Sequence, residues 1–187
     1  DVGRLRWSDE FDGASLDLTK WTPRVGPGRD NIYTPQALTV ANGALTINTF
    51  TESGTHYNGW VDTQNTFQPT YGYFEARILF NTSPGMWSAF WLQTPDWPNP
   101  VIGNPAVSGT EIDVIEHRRV NDSGGDYSRR IHMAVHWDGY ESYHKRKSST
   151  QDKTTSGMGN GSWHTYGLLW EPDRYTFYFD NQLVWTH

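Results

Sequence analysis

The chain is built from short segments in which apolar and polar residues alternate, with Gly and Pro between them. A period of two is the pattern of a strand with one buried face. Ala37–Val40 and Ala44–Ile47 flank Asn42-Gly43, a pair that favours the tight turn of a β-hairpin. Tyr175–Phe179 and Gln182–Trp185 predict a second hairpin. Because the sequence has no long helical period, the pattern predicts an all-β protein.

Four more segments have the composition of strands: Tyr71–Phe80, Ser88–Leu92, Arg130–Trp137 and His164–Trp170. Many short strands with turn signals between them predict an antiparallel β-sandwich or jelly roll. The least regular stretches, Pro95–Ser108 and Glu141–Ser162, are predicted to be surface loops that rim a cleft.

An acidic segment, Glu111–Glu116, carries three carboxylates within six residues. Its β-branched residues favour a strand. Strand side chains alternate between faces, so Glu111 and Asp113 share one face and Glu116 points to the other. A β-bulge at Val114-Ile115 would return Glu116 to the face of the other two acids. Bulges are frequent beside active sites, so we expect one here.

Three acids crowded on one face repel one another, and the pKa values of some of them rise. Retaining cleavage of a glycosidic bond needs such a set, with an ionised carboxylate as nucleophile and a protonated carboxyl as general acid. A solvated face and a Ca²⁺ site are the alternatives for an acid-rich strand. The apolar residues Ile112, Val114 and Ile115 favour catalysis, because they indicate a buried opposite face and a rigid support.

Composition narrows the possible partners. The 187 residues include 10 Trp and 10 Tyr, and flat aromatic rings in a groove grip sugar rings, although most single Trp residues serve in packing. A net charge of −6 argues against nucleic acid, because phosphate binding needs a basic surface. The lack of Cys excludes a disulfide framework and thiolate metal sites. No apolar run is long enough to span a membrane.

Several segments resemble glycoside hydrolase family 16, the β-jelly-roll endo-glycanases, and they follow one another in the family's order. The acidic strand resembles the family signature in the version that carries the bulge. The other matching segments are Trp7–Gly13 with Leu16-Asp17 and Lys20-Trp21, Asn42–Ile47, Tyr71–Arg77, Pro84–Leu92, and Trp163–Gly167 with Trp170–Asp173. The resemblance spans nearly the whole chain. It implies one catalytic domain over residues 1–187, with an all-β antiparallel sandwich (jelly roll) and a concave substrate cleft.

The resemblance also implies a role for each acid. Glu111 would be the nucleophile that forms a glycosyl-enzyme intermediate. Glu116 would be the acid/base, and Asp113 would lie between them and tune their protonation. Retention needs the two reacting carboxyl groups within about 5–5.5 Å of each other. We therefore expect the sheet to be concave here, so that the side chains lean together.

Substrate-binding roles follow from the same resemblance. Trp87 and Trp91 resemble the family's Trp pair beside the cleft, with Trp87 as a sugar platform and Trp91 in the cleft or the core. His136-Trp137 resembles the His-Trp pair of the neighbouring strand. There, His136 is expected to hydrogen-bond Asp113 or the sugar, and Trp137 to stack in the leaving-group subsite.

The N-terminal part of the chain carries weaker signals. Asn31 and Tyr33 fall where the family often places a polar contact to the glycone side. Asp9–Gly13 lie where some members bind a structural Ca²⁺, but the segment contains no EF-hand loop, which favours a simple turn. No metal and no cofactor are expected to be required for activity.

The chain stops at Trp185-Thr186-His187, whereas the family continues with further strands. We expect a missing C-terminal segment or a second chain to complete the fold, because an unclosed jelly roll would expose a sheet edge. No signal peptide is visible, and a start at Asp1 fits a mature or trimmed chain. The resemblance implies a secreted, extracellular protein whose partner is a polysaccharide.

The bulge-type signature is shared by enzymes that cut β-1,3-glucans and by enzymes that cut galactans. An endo-β-1,3-glucanase of the laminarinase type is the first expectation, and a galactan hydrolase of the agarase, carrageenase or β-1,3-galactanase type is the second. Basic clusters suit an anionic glycan or a solvated loop: His144–Lys147, Arg118, Arg119, Arg129 and Arg130. A transglycosylase and a non-catalytic carbohydrate-binding jelly roll are further hypotheses, and the complete acid triad argues against the latter.

Overall fold

The computed structural model describes residues 3–97, 99–153, 158 and 161–187. The chain forms two compact units, Asp1–Pro69 and Thr70–His187, and each has its own sheets. Nearly all of the regular structure is strand, which confirms the predicted all-β class. The single domain expected over residues 1–187 stays a prediction.

The first unit contains short strands and one 3-10 turn. In chain order they are β1 Thr22–Pro23, β2 Gly26–Pro27, β3 Ile32–Tyr33, the 3-10 turn Pro35–Ala37, β4 Leu38–Ala41, β5 Ala44–Ile47, β6 Thr49–Glu52, β7 Thr55–Asn58 and β8 Val61–Asp62. β4 and β5 form the hairpin predicted around Asn42-Gly43, and both turn residues have the positive φ that this tight turn requires. β6 and β7 form a hairpin that the sequence did not predict.

The second unit is a sandwich of two four-stranded antiparallel sheets. Its elements are β9 Gly72–Leu79, β10 Trp87–Gln93, α1 Pro105–Ser108, β11 Glu111–Arg118, β12 Arg130–Trp137, β13 Lys145–Asp152, β14 Trp163–Glu171, β15 Arg174–Phe179 and β16 Gln182–Thr186. One sheet has the order β10-β11-β12-β13 and the other β16-β15-β14-β9. No described helix has the length and apolar character needed to cross a membrane.

A hydrophobic core joins the two sheets of the second unit. One sheet contributes Ile112, Val114, Ile115, Ile131, Met133 and Val135, and the other contributes Tyr166, Leu168, Phe177 and Phe179. These side chains alternate along their strands with outward-facing residues. The exception is in β11, where the consecutive residues Val114 and Ile115 are both in the core. The sandwich agrees with the predicted antiparallel architecture, because each sheet buries its apolar face against the other.

The loop predicted over Glu141–Ser162 is wrong for Lys145–Asp152, which form β13 and pair with β12 along all eight residues. β13 lies at the edge of its sheet and is mostly exposed. Its segment therefore lacks the apolar alternation by which a strand is recognised, and charged residues are common on such edges. Residues 154–157, 159 and 160 lie outside the described residues. Pro95–Ser108 is irregular as predicted, apart from α1, and Pro98 is outside the description.

Two leucines test the position of the core. Leu168 is 0% exposed in β14, whereas Leu183 is 62% exposed in β16. We expect Leu168→Ala to lower the free energy of unfolding by about 2–5 kcal/mol, because it leaves a cavity. Leu183→Ala should change it by less than about 0.5–1 kcal/mol. Urea denaturation of both variants measures the difference, and equal losses would contradict the assigned core.

Candidate active site

The acidic strand β11 carries the predicted bulge. On the β10 side, Phe90 pairs with Ile115 and Trp91 pairs with Asp113, so Val114 has no partner position in β10. On the β12 side, the register also shifts between Asp113 and Glu116. One extra residue in β11 therefore lies at Val114-Ile115, where the acid spacing required it.

The bulge sorts the side chains of β11 into two sets. Glu111, Asp113 and Glu116 lie opposite alternate residues of β12, namely His136, Ala134 and His132, so all three acids share one face. Ile112, Val114 and Ile115 are buried in the core on the other face. The side of the sheet that carries the three acids is called the acid face below.

Glu111 is held by two donors that converge on one of its oxygens. Gln93 Nε2 lies 2.6 Å from Glu111 Oε2, and the Tyr140 hydroxyl donates to the same oxygen. Gln93 Nε2 also lies 3.2 Å from the Tyr140 oxygen. The carboxyl group is buried, with the residue only 7% exposed, so its orientation is fixed by these contacts.

Asp113 is the most buried of the three acids and is paired with a histidine. His136 Nε2 lies 3.0 Å from Asp113 Oδ2, which is the contact predicted for these two side chains. On its other side, His136 Nδ1 lies 2.8 Å from His144 Nε2. Burial lowers the pKa of His136, but the hydrogen bond and charge of Asp113, together with Glu111 and Glu116, outweigh this effect and raise it.

Glu116 has a different set of neighbours. Trp87 Nε1 donates to Glu116 Oε1 at 2.8 Å, and His132 Nε2 lies 3.8 Å from Glu116 Oε2. Burial lowers the pKa of His132, which favours the neutral ring beside this carboxyl. The guanidinium of Arg118 lies 4.6 Å from the centre of the Trp87 ring. Arg118 pairs with Trp87 in the strand register and lies two residues beyond Glu116, on the far side from Asp113.

Burial is the largest cause of the raised pKa values of the two glutamates in the site. Burial, followed by the charge of Asp113, raises the pKa of Glu111 to about 7. The same two causes raise the pKa of Glu116, against the hydrogen bond from Trp87. The sequence predicted that crowding would raise some of these pKa values; the structure adds that desolvation exceeds the repulsion and affects both glutamates.

The acid face also has the composition of a metal site. One ligand atom from each of Glu111, Asp113 and His136 lies within 4.8 Å of the other two. However, His136 Nε2 already contacts Asp113, and Glu111 Oε2 already accepts two hydrogen bonds from protein donors. All three side chains therefore already have hydrogen-bonding partners within the protein.

The aromatic residues predicted to bind sugar divide between the two faces. Trp87 is 59% exposed, and Trp91 is partly buried opposite Asp113, so both lie on the acid face. Trp137 follows His136 in β12 and packs against the hydrophobic core. Its packing does not support the expected stacking on a sugar, because neighbouring residues of a strand point to opposite faces.

The remaining predicted residues belong to the first unit. The Tyr33 ring packs edge-on against Trp60, and the Arg24 guanidinium lies 5.3 Å from the Tyr33 ring centre. Asn31 lies in a bend directly before β3, and its backbone carbonyl accepts a hydrogen bond from the Gly28 N–H at 2.8 Å. The sugar contacts expected of Asn31 and Tyr33 stay predictions.

The N-terminal segment is organised by one carboxylate. Asp9 accepts hydrogen bonds from the Phe11 backbone N–H at 2.9 Å and from Trp21 Nε1 at 2.8 Å. Lys20 Nζ lies 3.8 Å from the same side chain. Protein donors thus occupy this carboxylate, which agrees with a turn; calcium binding at Asp9–Gly13 stays a prediction.

Sequence reasoning gave no place beside the acids to four residues that the structure brings there: Gln93, His132, Tyr140 and His144. Gln93 and His132 could have been found, because alternation along β10 and β12 places them on the acid face. Tyr140 and His144 come from the connection between β12 and β13 and carry no periodic signal. Only the folded backbone brings them to the carboxylates.

Glu111 makes the stability of the protein depend on pH. The folded chain keeps this proton up to about pH 7, whereas the unfolded chain loses it near the usual value of 4.5. The free energy of unfolding therefore falls as pH rises between these values. Glu111→Gln removes the charge, so its stability relative to wild type should be about 3 kcal/mol higher at pH 8 than at pH 4. Denaturation at both pH values tests this, with the exposed Glu52→Gln as control. An equal difference at both pH values would contradict the burial effect.

Known proteins resemble this chain over most of its length. A family profile described as "Beta-porphyranase A-D, GH16 domain" matches residues 4–187. The endo-1,3-1,4-beta-glycanase ExsH of Rhizobium meliloti (strain 1021) is 30% identical over 86% of the chain and 32% of its own length. The glucan endo-1,3-beta-glucosidase A1 of Niallia circulans is 28% identical over 97% of the chain and 29% of its own length. The chain thus spans about a third of these curated relatives.

The fold has a close counterpart among solved structures. The crystal structure of laminarinase from Flavobacterium sp. UMI-01 superposes with a TM-score of 0.76 and 26% identity, covering 98% of this chain and 78% of that one. The bulged acidic strand, the two-sheet unit and the family profile agree with one another. The chain therefore belongs to glycoside hydrolase family 16.

Proposed function

We propose that this chain is the catalytic part of a retaining endo-β-glycanase that cuts an extracellular polysaccharide. The observation that carries the proposal is the bulged strand β11, which places Glu111, Asp113 and Glu116 on one face with both glutamate pKa values raised. A pair of carboxyl groups with a third acid between them matches the needs of double displacement. Action on a polymer outside the cell is the reason for expecting a secreted protein.

Glu111 serves as the nucleophile. Gln93 and Tyr140 both hold Oε2, so Oε1 is the oxygen assigned to attack on the anomeric carbon. As the new bond forms, Glu116 gives its proton to the leaving glycosidic oxygen and the C–O bond breaks. In the second step, Glu116 takes a proton from water, the water oxygen attacks the same carbon, and Glu111 leaves as a carboxylate.

Asp113 supports both steps by its charge. It lies between the two glutamates in the strand and raises the pKa of each. For Glu116 this effect favours the protonated form that the first step needs. For Glu111 it opposes ionisation, and the hydrogen bonds from Tyr140 and Gln93 act in the opposite direction. Activity should therefore rise as Glu111 ionises around pH 7 and fall when Glu116 loses its proton.

A β-1,3-glucan is the first candidate substrate. The relatives named above include a glucan endo-1,3-beta-glucosidase, and the solved counterpart is a laminarinase. The exposed Trp87 beside Glu116 provides an apolar platform for a neutral sugar ring.

A galactan with anionic groups is the second candidate. The matching family profile is named for porphyranases. Arg146 pairs with His136 in the sheet register, so it lies on the acid face, and it is exposed. Its guanidinium forms no ion pair with the described residues, and at that place it suits a sulfate or carboxylate group on a sugar.

Substitution of the two glutamates tests the mechanism. We expect Glu111→Gln and Glu116→Gln each to reduce turnover by at least about 10³-fold, because one loses the nucleophile and the other the proton donor. Laminarin, agarose, κ-carrageenan, β-1,3-galactan and lichenan would be incubated with wild type and both variants. Product sizes identify the substrate, and the first-formed anomer, read by ¹H NMR, should be β if the configuration is retained.

Three results would argue against parts of this proposal. Near wild-type turnover in Glu111→Gln would exclude it as nucleophile. Binding of a glycan by wild type without products would indicate a carbohydrate-binding module. Larger products on addition of an acceptor glycan would indicate a transglycosylase, since both reactions share the covalent intermediate.

Metal removal tests whether Glu111, Asp113 and His136 form a metal site. Because Glu111, Asp113 and His136 are engaged with protein partners, we expect dialysis against EDTA to leave the rate within about twofold of the untreated protein. The rate is measured before dialysis, after it, and after addition of Ca²⁺ or Zn²⁺. A loss that either ion restores would assign the cluster to a metal instead.

A further inference from the structure

The connection between β12 and β13, residues 138–144, is called the β12–β13 loop. Two of its side chains reach the acid face. The Tyr140 hydroxyl donates to Glu111 Oε2, and His144 Nε2 lies 2.8 Å from His136 Nδ1. One loop therefore contacts both the nucleophile and the histidine that pairs with Asp113.

Tyr140, Glu111 and Gln93 each hydrogen-bond the other two. Gln93 bonds both the Glu111 carboxylate and the Tyr140 oxygen, at 2.6 Å and 3.2 Å. The Tyr140 ring also packs edge-on against Trp97, with the ring centres 4.8 Å apart. Burial and the negative charge of Glu111 raise the pKa of Tyr140, so the phenol stays protonated and remains a donor. Its hydroxyl thus fixes one oxygen of the nucleophile while leaving the other oxygen to react.

His144 acts one step further from the chemistry. Its ring lies parallel to that of His136, with 9° between the planes and 5.0 Å between the centres. Burial and the charges of His136 and Arg146 lower the pKa of His144, whereas that of His136 is raised. These opposite directions favour the arrangement in which His136 donates from Nε2 to Asp113 and from Nδ1 to His144. His144 holds the His136 ring in the orientation that meets Asp113.

The loop is anchored at its start. Asp138 is 3% exposed, and its Oδ1 accepts from the Gly103 backbone N–H at 2.9 Å. Lys145 Nζ lies 3.2 Å from Asp138 Oδ2. Asp138 and Gly139 both have positive φ, 63° and 69°, so the chain turns sharply there. The buried Asp138 carboxylate and the tight turn thus fix the position from which the Tyr140 side chain extends.

We propose that Tyr140 and His144 are positioning residues for the double displacement: Tyr140 orients the Glu111 carboxylate, and His144 orients His136 against Asp113. This inference rests on the function proposed above for the same site. Each contact ends on a member of the acid cluster: that of Tyr140 on the nucleophile, and that of His144 on the histidine that pairs with Asp113.

Tyr140→Phe isolates the first contact, since it removes only the hydroxyl. The charged and titratable groups that face Glu111 are Asp113, His136 and Tyr140 itself. A hydrogen bond to the ionised carboxylate lowers its pKa, so its loss should move the titration of Glu111 to higher pH. The measurement is ¹³C NMR of the glutamate carboxyl carbons, with the Glu111→Gln spectrum as assignment.

Tyr143→Phe is the matched control, because Tyr143 lies in the same loop and is 62% exposed. It should leave the titration of Glu111 and the rate unchanged. Tyr140→Phe should in addition lower kcat by about 10- to 100-fold with little change in KM, because the nucleophile is misplaced while the sugar contacts remain. An unchanged Glu111 titration together with an unchanged kcat would overturn the role of Tyr140.

His144→Phe and His144→Gln test the second contact. Phe keeps a ring but removes the acceptor of the His136 proton, so the ¹⁵N titration of the His136 ring should move to lower pH and kcat should fall by about 10-fold. Gln supplies an acceptor oxygen and should restore part of both. Equal behaviour of wild type, Phe and Gln variants would overturn the role of His144.

The experiment also separates this inference from the function on which it rests. The NMR titrations need no turnover, so they report on both contacts even when no polysaccharide is cut. A wild-type protein that cuts none of the glycans would contradict the proposed function. An active wild type whose Tyr140→Phe and His144→Phe variants titrate and turn over normally would contradict the inference alone. If one variant fails to fold, by circular dichroism, the other still decides its own contact.

Discussion

The single extra residue in β11 is the constraint on which the site depends. With strict alternation, Ile115 would point to the acid face and Glu116 into the core. The bulge exchanges them, so Ile115 is 0% exposed and Glu116 joins Glu111 and Asp113. Burying an isoleucine side chain stabilises by about 1.5–3 kcal/mol, and an unpaired buried carboxylate is strongly unfavourable. Core packing and the placement of three acids on one face therefore require the same distortion, which explains why it can be stable.

Burial and hydrogen bonding have opposite effects on the pKa values of the two glutamates. The rigid sheet that fixes the carboxyl groups also removes them from water, and this raises the pKa of both glutamates. Hydrogen bonds from Tyr140 and Gln93 to Glu111, and from Trp87 to Glu116, partly offset that effect. In the proposed mechanism the first glutamate ionises and the second keeps a proton, so the donors around each carboxyl matter as much as the acids themselves.

Sequence reasoning succeeded where the physics is local. The Asn42-Gly43 hairpin and most strands of the sandwich follow from alternation and turn chemistry between near neighbours. The bulge was expected from the spacing of three acids within six residues. It failed at β13, where an exposed edge strand needs no apolar pattern, since its pairing with β12 uses backbone groups that every residue carries. It also predicted that Trp137 faces the sugar. The adjacent His136 lies on the acid face, and neighbouring strand residues point to opposite faces.

The sequence by itself determined that Glu111 and Asp113 share one face of a strand and that one inserted residue brings Glu116 to it, because side-chain alternation depends only on position along the strand. The tertiary structure decided how those groups titrate and which of their oxygens are held. Gln93 and Tyr140 lie 18 and 29 residues from Glu111, and no local pattern connects them. Desolvation and hydrogen bonding depend on what surrounds a side chain in space, and only the packed sheets and the β12–β13 loop create that surrounding.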